Sequence, residues 1–470
     1  MPKPAVAAHS KTKCLSAYLI DSLVIVFFAL LAHAIAFSTY FHDDDYDWLI
    51  LARKWTTGLP LFSPNHWNTF RPGTHVLMRI SYSLFHDWAP GYHAFSLLLH
   101  IAAILLLRAF ISRMVHNRAA VLLSTLLFAV GAGHAEGVQW VSAVGFPFAA
   151  SLSLGALILL DKYLRDCKLS YFICSGACCL CAILTHEFAV WTLVSLFLFV
   201  VMSGAKVSRG HLIRVCVVLV AIAAVYGAVY ISYYTKYDKG VFKSGEPALI
   251  SARHIPMNVL KAAPRFISPD FAYSEAIVRR IAAVSPAIAK AATWLWLALS
   301  AGLLIAMLWL AASKRGIIRW AALVAILGLI LGSTASVGVG GRYLYLPMIA
   351  FTLLLAIVLE KAFDSTKGNA ARFIALFAVC SVLIFNLLAN VVCLVYIRDT
   401  SVKRLRLLQT LRKISDAHPG ITLVLSGAGK YAYPSAYVYY GIPITENEND
   451  AAGKDKLYVT YSPSGVSIDK

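Results

Sequence analysis

Residues 15–37 read LSAYLIDSLVIVFFALLAHAIAF, with Asp21 the one carboxylate and no Lys or Arg. A helix rises 1.5 Å per residue, so this run reaches about 35 Å and can cross a bilayer core of about 30 Å. Lys3, Lys11 and Lys13 precede it, and Ala32-His33-Ala34 mimics a small-x-small cleavage site. The run is longer than the roughly 7–15 residues of a signal core, so it reads as a retained first membrane helix. Composition generalises the point. Of 470 residues 59% are hydrophobic and only 14% charged, against about 45–50% and about 25% in an ordinary soluble domain. A water-facing surface cannot absorb that excess, so lipid must cover much of the chain. Further runs bring the count to about eleven stretches of spanning length. The fold class is a polytopic α-helical membrane protein.

The net charge of +19 does not indicate a nucleic-acid partner, because the cations sit in short connections between apolar runs. Threading the chain with a cytoplasmic N-terminus places every basic short loop inside: Arg113 and Arg118; Lys162, Arg165 and Lys168; Lys206, Arg209 and Arg214; Lys314, Arg315 and Arg319; Lys361, Lys367 and Arg372. The external loops are then 38–92, 131–145, 233–290 and 338–347, and the eleventh helix, about 373–397, delivers the C-terminal part outside. The 233–290 loop is also basic, with Lys236, Lys239, Lys243, Arg253, Lys261, Arg265, Arg279 and Arg280. Long loops translocate largely regardless of charge; cations there suit a phosphate-bearing ligand or anionic headgroups of membrane lipids. Of the nine cysteines, Cys174, Cys178, Cys179 and Cys181 lie in the apolar run SGACCLCA, where small side chains serve helix packing rather than zinc.

The membrane domain is expected over 1–397 and a small extracytoplasmic α/β domain over 398–470. An amphipathic helix (401–418) precedes three strand-like runs, 421–425, 437–442 and 457–461, separated by Gly, Pro and Asn. A unit this small needs to lean on the membrane domain. Gly427-Ala428-Gly429-Lys430 lacks the first glycine and the Ser/Thr of a phosphate loop, and reads as a turn.

The polar clusters of the apolar half fall on the outer side. The first loop opens with Asp43-Asp44-Asp45-Tyr46-Asp47, where mutual repulsion raises some carboxyl pKa values and fits one of them to act as a general base. The others are Phe70-Arg71-Pro72, His134-Ala135-Glu136, His186-Glu187 and Gly341-Arg342-Tyr343-Leu344-Tyr345. Ionisable residues at membrane depth are costly and face a cavity or a partner. His186-Glu187 has Val190 where a zinc-protease helix needs its second histidine.

Taken in order, these clusters carry a resemblance. Phe70-Arg71-Pro72 through the run GYHAFSLLLH (91–100), then His134-Ala135-Glu136-Gly137-Val138-Gln139-Trp140-Val141-Ser142, then Arg342-Tyr343-Leu344-Tyr345-Leu346-Pro347, resemble GT-C glycosyltransferases over about residues 15–395. The resemblance lies closest to the protein O-mannosyltransferase branch and the TPR-bearing transmembrane mannosyltransferases, though no TPR repeats follow here. Ala135 stands for that branch's proline, and His186 for its lysine. The resemblance implies a sugar donor on a polyprenyl phosphate, used at the outer face. It implies Asp44 as first choice for the base, with Asp43 and Asp45 beside it. Arg342, and with it Arg71, Arg265 and Lys261, would stabilise the leaving phosphate. His134, Glu136, His186, Glu187 and Tyr345 would orient sugar or acceptor. Direct attack with a base predicts inversion at the anomeric carbon. The acceptor is left open between glycan, lipid and protein, and a divalent cation (Mg²⁺ or Mn²⁺) on Asp43, Asp44 and Asp45 is left open as cofactor. The location implied is a bacterial inner membrane with the site periplasmic. The rivals are a transporter or flippase of lipid-linked sugars and an O-antigen ligase or polymerase-like enzyme. The first would want paired repeat halves, which the sequence lacks, and the second would lean on loop arginines rather than an acidic first loop.

Overall fold

The computed structural model describes residues 5–55, 70–202, 209–237, 255–267, 285–334, 341–364, 369–426, 434–445, 456–462 and 465–469. Lys239, Lys243, Arg253, Arg279, Arg280, the glycines 338 and 340, and the turn 427–430 lie outside the described residues. The helices are α1 (Ala5–His33), α2 (Asp45–Lys54), α3 (Pro72–Phe85), α4 (Ala89–Ile111), α5 (Arg118–Ala129), α6 (Glu136–Gln139), α7 (Gly145–Asp166), α8 (Leu169–Thr185), α9 (Val190–Met202), α10 (Arg209–Tyr237), α11 (Ile255–Ala262), α12 (Pro286–Ala311), α13 (Gly316–Ser333), α14 (Tyr345–Asp364), α15 (Asn369–Ala417) and α16 (Pro434–Tyr440). Among the described residues eight helices are long and apolar enough to cross a membrane: α1, α4, α7, α10, α12, α13, α14 and α15. The shorter apolar helices α5, α8 and α9 stand at three more of the roughly eleven stretches expected to span. Leu23, Val220, Ile305, Trp309, Phe377 and Leu388 are exposed on the outside of the bundle, as lipid-facing side chains must be.

The two ends of the bundle differ in chemistry. At one end Asp21 of α1 is buried between Arg108 at 3.1 Å and Arg118 at 2.7 Å. Asp161 takes Arg113 at 2.5 Å and Arg165 at 3.0 Å. These pairs tie the basic short loops to the bundle, which is how charge survives at a membrane boundary. At the other end of the same two helices Thr39 Oγ1 meets His93 Nε2 at 2.8 Å. Residues 21 and 39 are about 27 Å apart along the chain's rise, close to a hydrocarbon thickness. The acidic loop and Arg342 lie at this second end. The interior is close-packed. Indole N–H groups of Trp320 and Trp191 donate to the Ser195 and Val324 carbonyls at 2.8 and 3.0 Å, joining α9 to α13. The cysteine run is shared out: Cys179 is buried where α8 packs on α7, while Cys174 and Cys181 are exposed.

Several helices break near the second end, and each break has its backbone groups answered by side chains, as irregular backbone beside a membrane requires. After α5, the Asn390 amide donates to the Val130 carbonyl at 2.8 Å and the Asn386 carbonyl accepts from Ala132 N–H at 2.9 Å. His100 Nε2 reaches the Ala129 carbonyl at 3.2 Å. After α8, Thr74 Oγ1 donates to the Thr185 carbonyl at 2.7 Å.

The C-terminal part departs from expectation in two respects. No break separates a last span from an amphipathic helix: α15 runs unbroken for 49 residues, about 74 Å, so the same helix leaves the membrane domain and supports the appendage. Residues 437–442, expected as a strand, belong instead to α16 and the turn after it. The strands are β1 (Thr422–Ser426), β2 (Ile444–Thr445), β3 (Lys456–Ser462) and β4 (Gly465–Asp469), in sheet order β2-β1-β3-β4. β1 and β2 are parallel, and parallel neighbours need a crossover, which α16 supplies. The appendage shares one apolar cluster with the first loop, where Phe41, Tyr46, Trp48 and Leu49 meet Leu407, Leu411, Leu423 and Tyr437. Tyr40 and Tyr440 hydroxyls meet at 2.8 Å, and Tyr439 hydroxyl donates to Asp87.

Candidate active site

The site is built from the first loop and the helix breaks. α2 starts at Asp45, so Asp43 and Asp44 form the turn before it. The three carboxylates have three different environments. Asp43 has a left-handed φ of 47°, and its Oδ1 is 2.9 Å from Arg404 of α15. Asp45 is fully buried; it accepts from the His42 N–H at 3.0 Å and the Ser142 N–H at 2.7 Å. Asp44 is half-buried and accepts one hydroxyl hydrogen bond, from Ser142 at 3.0 Å. Burial and the neighbouring Asp45 charge push the Asp44 carboxyl up to about 6, against the opposing pull of Arg342 and Ser142. A carboxylate titrating there is matched to proton transfer near neutrality.

Beside Asp44 the 341–344 turn carries Arg342 to Glu136. Nη1 donates to Oε1 at 2.7 Å and the backbone N–H to Oε2 at 3.1 Å. Its guanidinium lies 4.3 Å from the Trp140 ring centroid, and the His42 ring stacks on the same indole at 5.1 Å. The next residue, Tyr343, packs on Phe188 with centroids 4.7 Å apart, which brings the α8–α9 break alongside. There Glu187 takes a two-pronged contact from Arg71, with Nε to Oε2 at 2.6 Å. Arg71 is the residue before Pro72, and Gly73 lets the start of α3 touch the break. A Cβ on Gly73 would sit 2.7 Å from Thr185 Cα. Gly73→Ala is therefore expected to cost about 1–3 kcal/mol by overpacking and to separate Arg71 from Glu187, read as a lowered Tm in detergent.

The structure brings together Asp44, Arg342, Glu136, Arg71 and Glu187. Other residues named from sequence lie elsewhere. His134 and Tyr345 are 1% and 0% exposed. Their rings pack 5.2 Å apart with His100 and Phe128, so they shape the segment after α5 and do not face open space. His186 is buried against Phe146 at 4.0 Å. Arg265 is buried in a short turn that packs against the 341–344 turn, whereas Lys261 is exposed on α11. Among the described residues no group of three His, Cys, Asp or Glu could hold a metal ion. The acidic turn shows why, since Asp43, Asp44 and Asp45 point at separate partners, which does not fit a shared Mg²⁺ or Mn²⁺. Sequence reasoning did not single out Ser142, Trp140, Tyr343 or Arg404. The first three stand within the quoted motifs; Arg404 has no local signal at all.

A cavity of about 310 Å³ opens beside this group, lined by Asp43, Glu136 and Trp140 on one side and by Tyr396, Thr400 and Arg404 of α15 on the other.

Fold and site together define a polytopic helical membrane protein with a charged pocket at one end of its bundle. Solved structures with this architecture include ArnT from Cupriavidus metallidurans in the apo state. It matches with a TM-score of 0.52 and 13% identity over 97% of this chain and 94% of that one. The same protein bound to undecaprenyl phosphate gives a TM-score of 0.50 and 12% identity, covering 96% and 94%. The fold is thus that of the ArnT structures. No protein-family model and no curated protein matches the chain.

Proposed function

We propose that this protein is an inverting membrane glycosyltransferase that moves a sugar from a polyprenyl-phosphate donor to an acceptor hydroxyl at the extracytoplasmic face. The observation that carries the reading is the setting of Asp44: hydrogen-bonded by the Ser142 hydroxyl, within reach of the Arg342 charge, and with its carboxyl pushed up to about 6 by burial and Asp45. The ArnT structure with undecaprenyl phosphate supports a lipid phosphate as partner. Asp44 takes the acceptor hydroxyl's proton as that oxygen attacks the anomeric carbon from the face opposite the phosphate. The bond from that carbon to the phosphate oxygen breaks, its electron pair leaves with the polyprenyl phosphate, and the configuration inverts. Arg342 and Arg71 face the departing negative charge. Glu136 and Glu187 hold those guanidinium groups in place, and the cavity between the acidic turn and α15 admits the acceptor. The N-terminus is cytoplasmic by the positive-inside rule.

Two measurements test this. The purified protein in lipid nanodiscs should bind undecaprenyl phosphate. Cells lacking the protein should accumulate a sugar-bearing polyprenyl phosphate that membranes containing it consume. A protein that translocates that lipid across vesicles without consuming it would be a flippase, and the proposal would fall.

A further inference from the structure

Asp44 is flanked in the chain by two residues that are each fastened to another part of the fold. Asp43, in front of it, has a left-handed φ of 47°, which costs a residue with a Cβ about 1–2 kcal/mol. Its carboxylate meets Arg404, whose side chain is 3% exposed, on α15 beyond the apolar part of that helix. Asp45, behind it, accepts the Ser142 and His42 backbone N–H groups at 2.7 and 3.0 Å. The same Ser142 gives its hydroxyl to Asp44 Oδ1 at 3.0 Å. Among the described residues no hydrogen bond engages Oδ2.

We propose that Ser142 and Arg404 are positioning residues for sugar transfer, clamping the turn on both sides so that the Oδ2 edge of Asp44 meets the acceptor hydroxyl. The inference rests on the reading of Asp44 as the base. Reacting groups must be held to about 0.5 Å and 10–20°, and three successive carboxylates on an unfastened turn would repel one another out of any such arrangement. Arg404 neutralises and anchors the first, and the two N–H groups anchor the third. The middle one is left for chemistry. The clamp also makes α15, and through it the C-terminal appendage, part of the active site.

The charges facing Asp44 are Asp45 and His42 on its own turn and Arg342 from the 341–344 turn, with Arg342 itself paired to Glu136 of α6. Ser142 is uncharged, so removing its hydroxyl changes orientation and proton affinity without changing that field. A donor to the ionised form is lost, and the carboxyl should titrate higher.

The test uses the full-length protein in nanodiscs. Infrared titration reads the carboxyl band that disappears in Asp44→Asn, equilibrium binding uses undecaprenyl phosphate, and transfer is followed as consumption of the accumulated lipid-linked sugar. Ser142→Ala should raise the titration midpoint by about half to one pH unit, with Ser142→Thr restoring it. Arg404→Gln should slow transfer by about 10–10²-fold, with most of the rate recovered in Arg404→Lys, which keeps the charge opposite Asp43. Both variants should hold undecaprenyl phosphate within about twofold of wild type, because neither residue belongs to the phosphate-facing pair. An unmoved midpoint in Ser142→Ala overturns the proposal. So does undiminished transfer in Arg404→Gln, or lipid binding lost in step with transfer. Transfer that survives in Asp44→Asn overturns the base assignment itself, a separate failure.

Discussion

Asp44→Asn is expected to lower sugar transfer by about 10²–10⁴-fold, the usual worth of a general base, while undecaprenyl phosphate still binds. The exchange is nearly isosteric and the Ser142 hydroxyl can still donate to the amide oxygen, so the fold has little reason to respond. The pH profile gives the sign. The base acts as the carboxylate, so wild-type transfer should climb with pH through about 6, where Asp44 loses its proton, and level off above. The residual rate of Asp44→Asn should lack that limb. Its neighbours should behave differently. Asp45→Asn turns one of the two oxygens that accept the His42 and Ser142 N–H groups into an NH2, and an unsatisfied buried partner costs about 1–3 kcal/mol; this variant should melt lower. Initial rates from pH 4.5 to 8 together with Tm separate the three aspartates. If Asp44→Asn keeps transfer within about tenfold while Asp43→Asn abolishes it, the base lies one residue earlier and the cavity beside Arg404 becomes the reaction site.

Legibility in the sequence followed the range of the forces involved. Lipid contact acts on every residue of a span, so the 15–37 run and its successors announced a polytopic bundle from hydropathy alone. The acidic turn and Arg342 were legible because charge is rare in such a chain and therefore conspicuous. How the three adjacent aspartates differ in partners was not, since that depends on Ser142 and Arg404, and on which backbone N–H groups arrive at Asp45. The surroundings of His134 and Tyr345 were hidden for a related reason. A polar side chain in an apolar protein looks exposed to a site, yet these two are buried in a ring cluster that closes the break after α5. The run 437–442 is β-branched and aromatic enough to suggest a strand. What overrode that was topology: β1 and β2 run parallel, and only a crossover can join them. The unbroken α15 had no counterpart in hydropathy, because its apolar span ends near residue 397 while its hydrogen-bonded backbone continues to Ala417.

Arg342 and Glu136 should show opposite signs when each is replaced. Both arginines of the site carry a carboxylate partner, so each is either a brace or a phosphate ligand held ready by its glutamate. Arg342 has the better geometry for a ligand. Glu136 engages only Nη1 and the backbone N–H, whereas Glu187 takes both Nε and Nη2 of Arg71. The side chain of Arg342 also remains 24% exposed. Arg342→Ala should weaken undecaprenyl phosphate binding by about 10–10²-fold, since a hydrogen bond to a charged group is worth about 1.5–3 kcal/mol. Arg342→Lys should be a poor substitute, because the flat guanidinium both stacks on Trp140 and offers paired donors. Glu136→Gln removes a negative charge that competes with the phosphate while keeping a hydrogen-bond acceptor, so binding of the same lipid should tighten several-fold. Its transfer rate should nevertheless fall, as Arg342 keeps only one of the two hydrogen bonds that aim it. Were Arg342 only a brace, the two variants would shift binding in the same direction and lower Tm together. The phosphate contact would then have to be sought at Arg71, whose removal strands Glu187 instead.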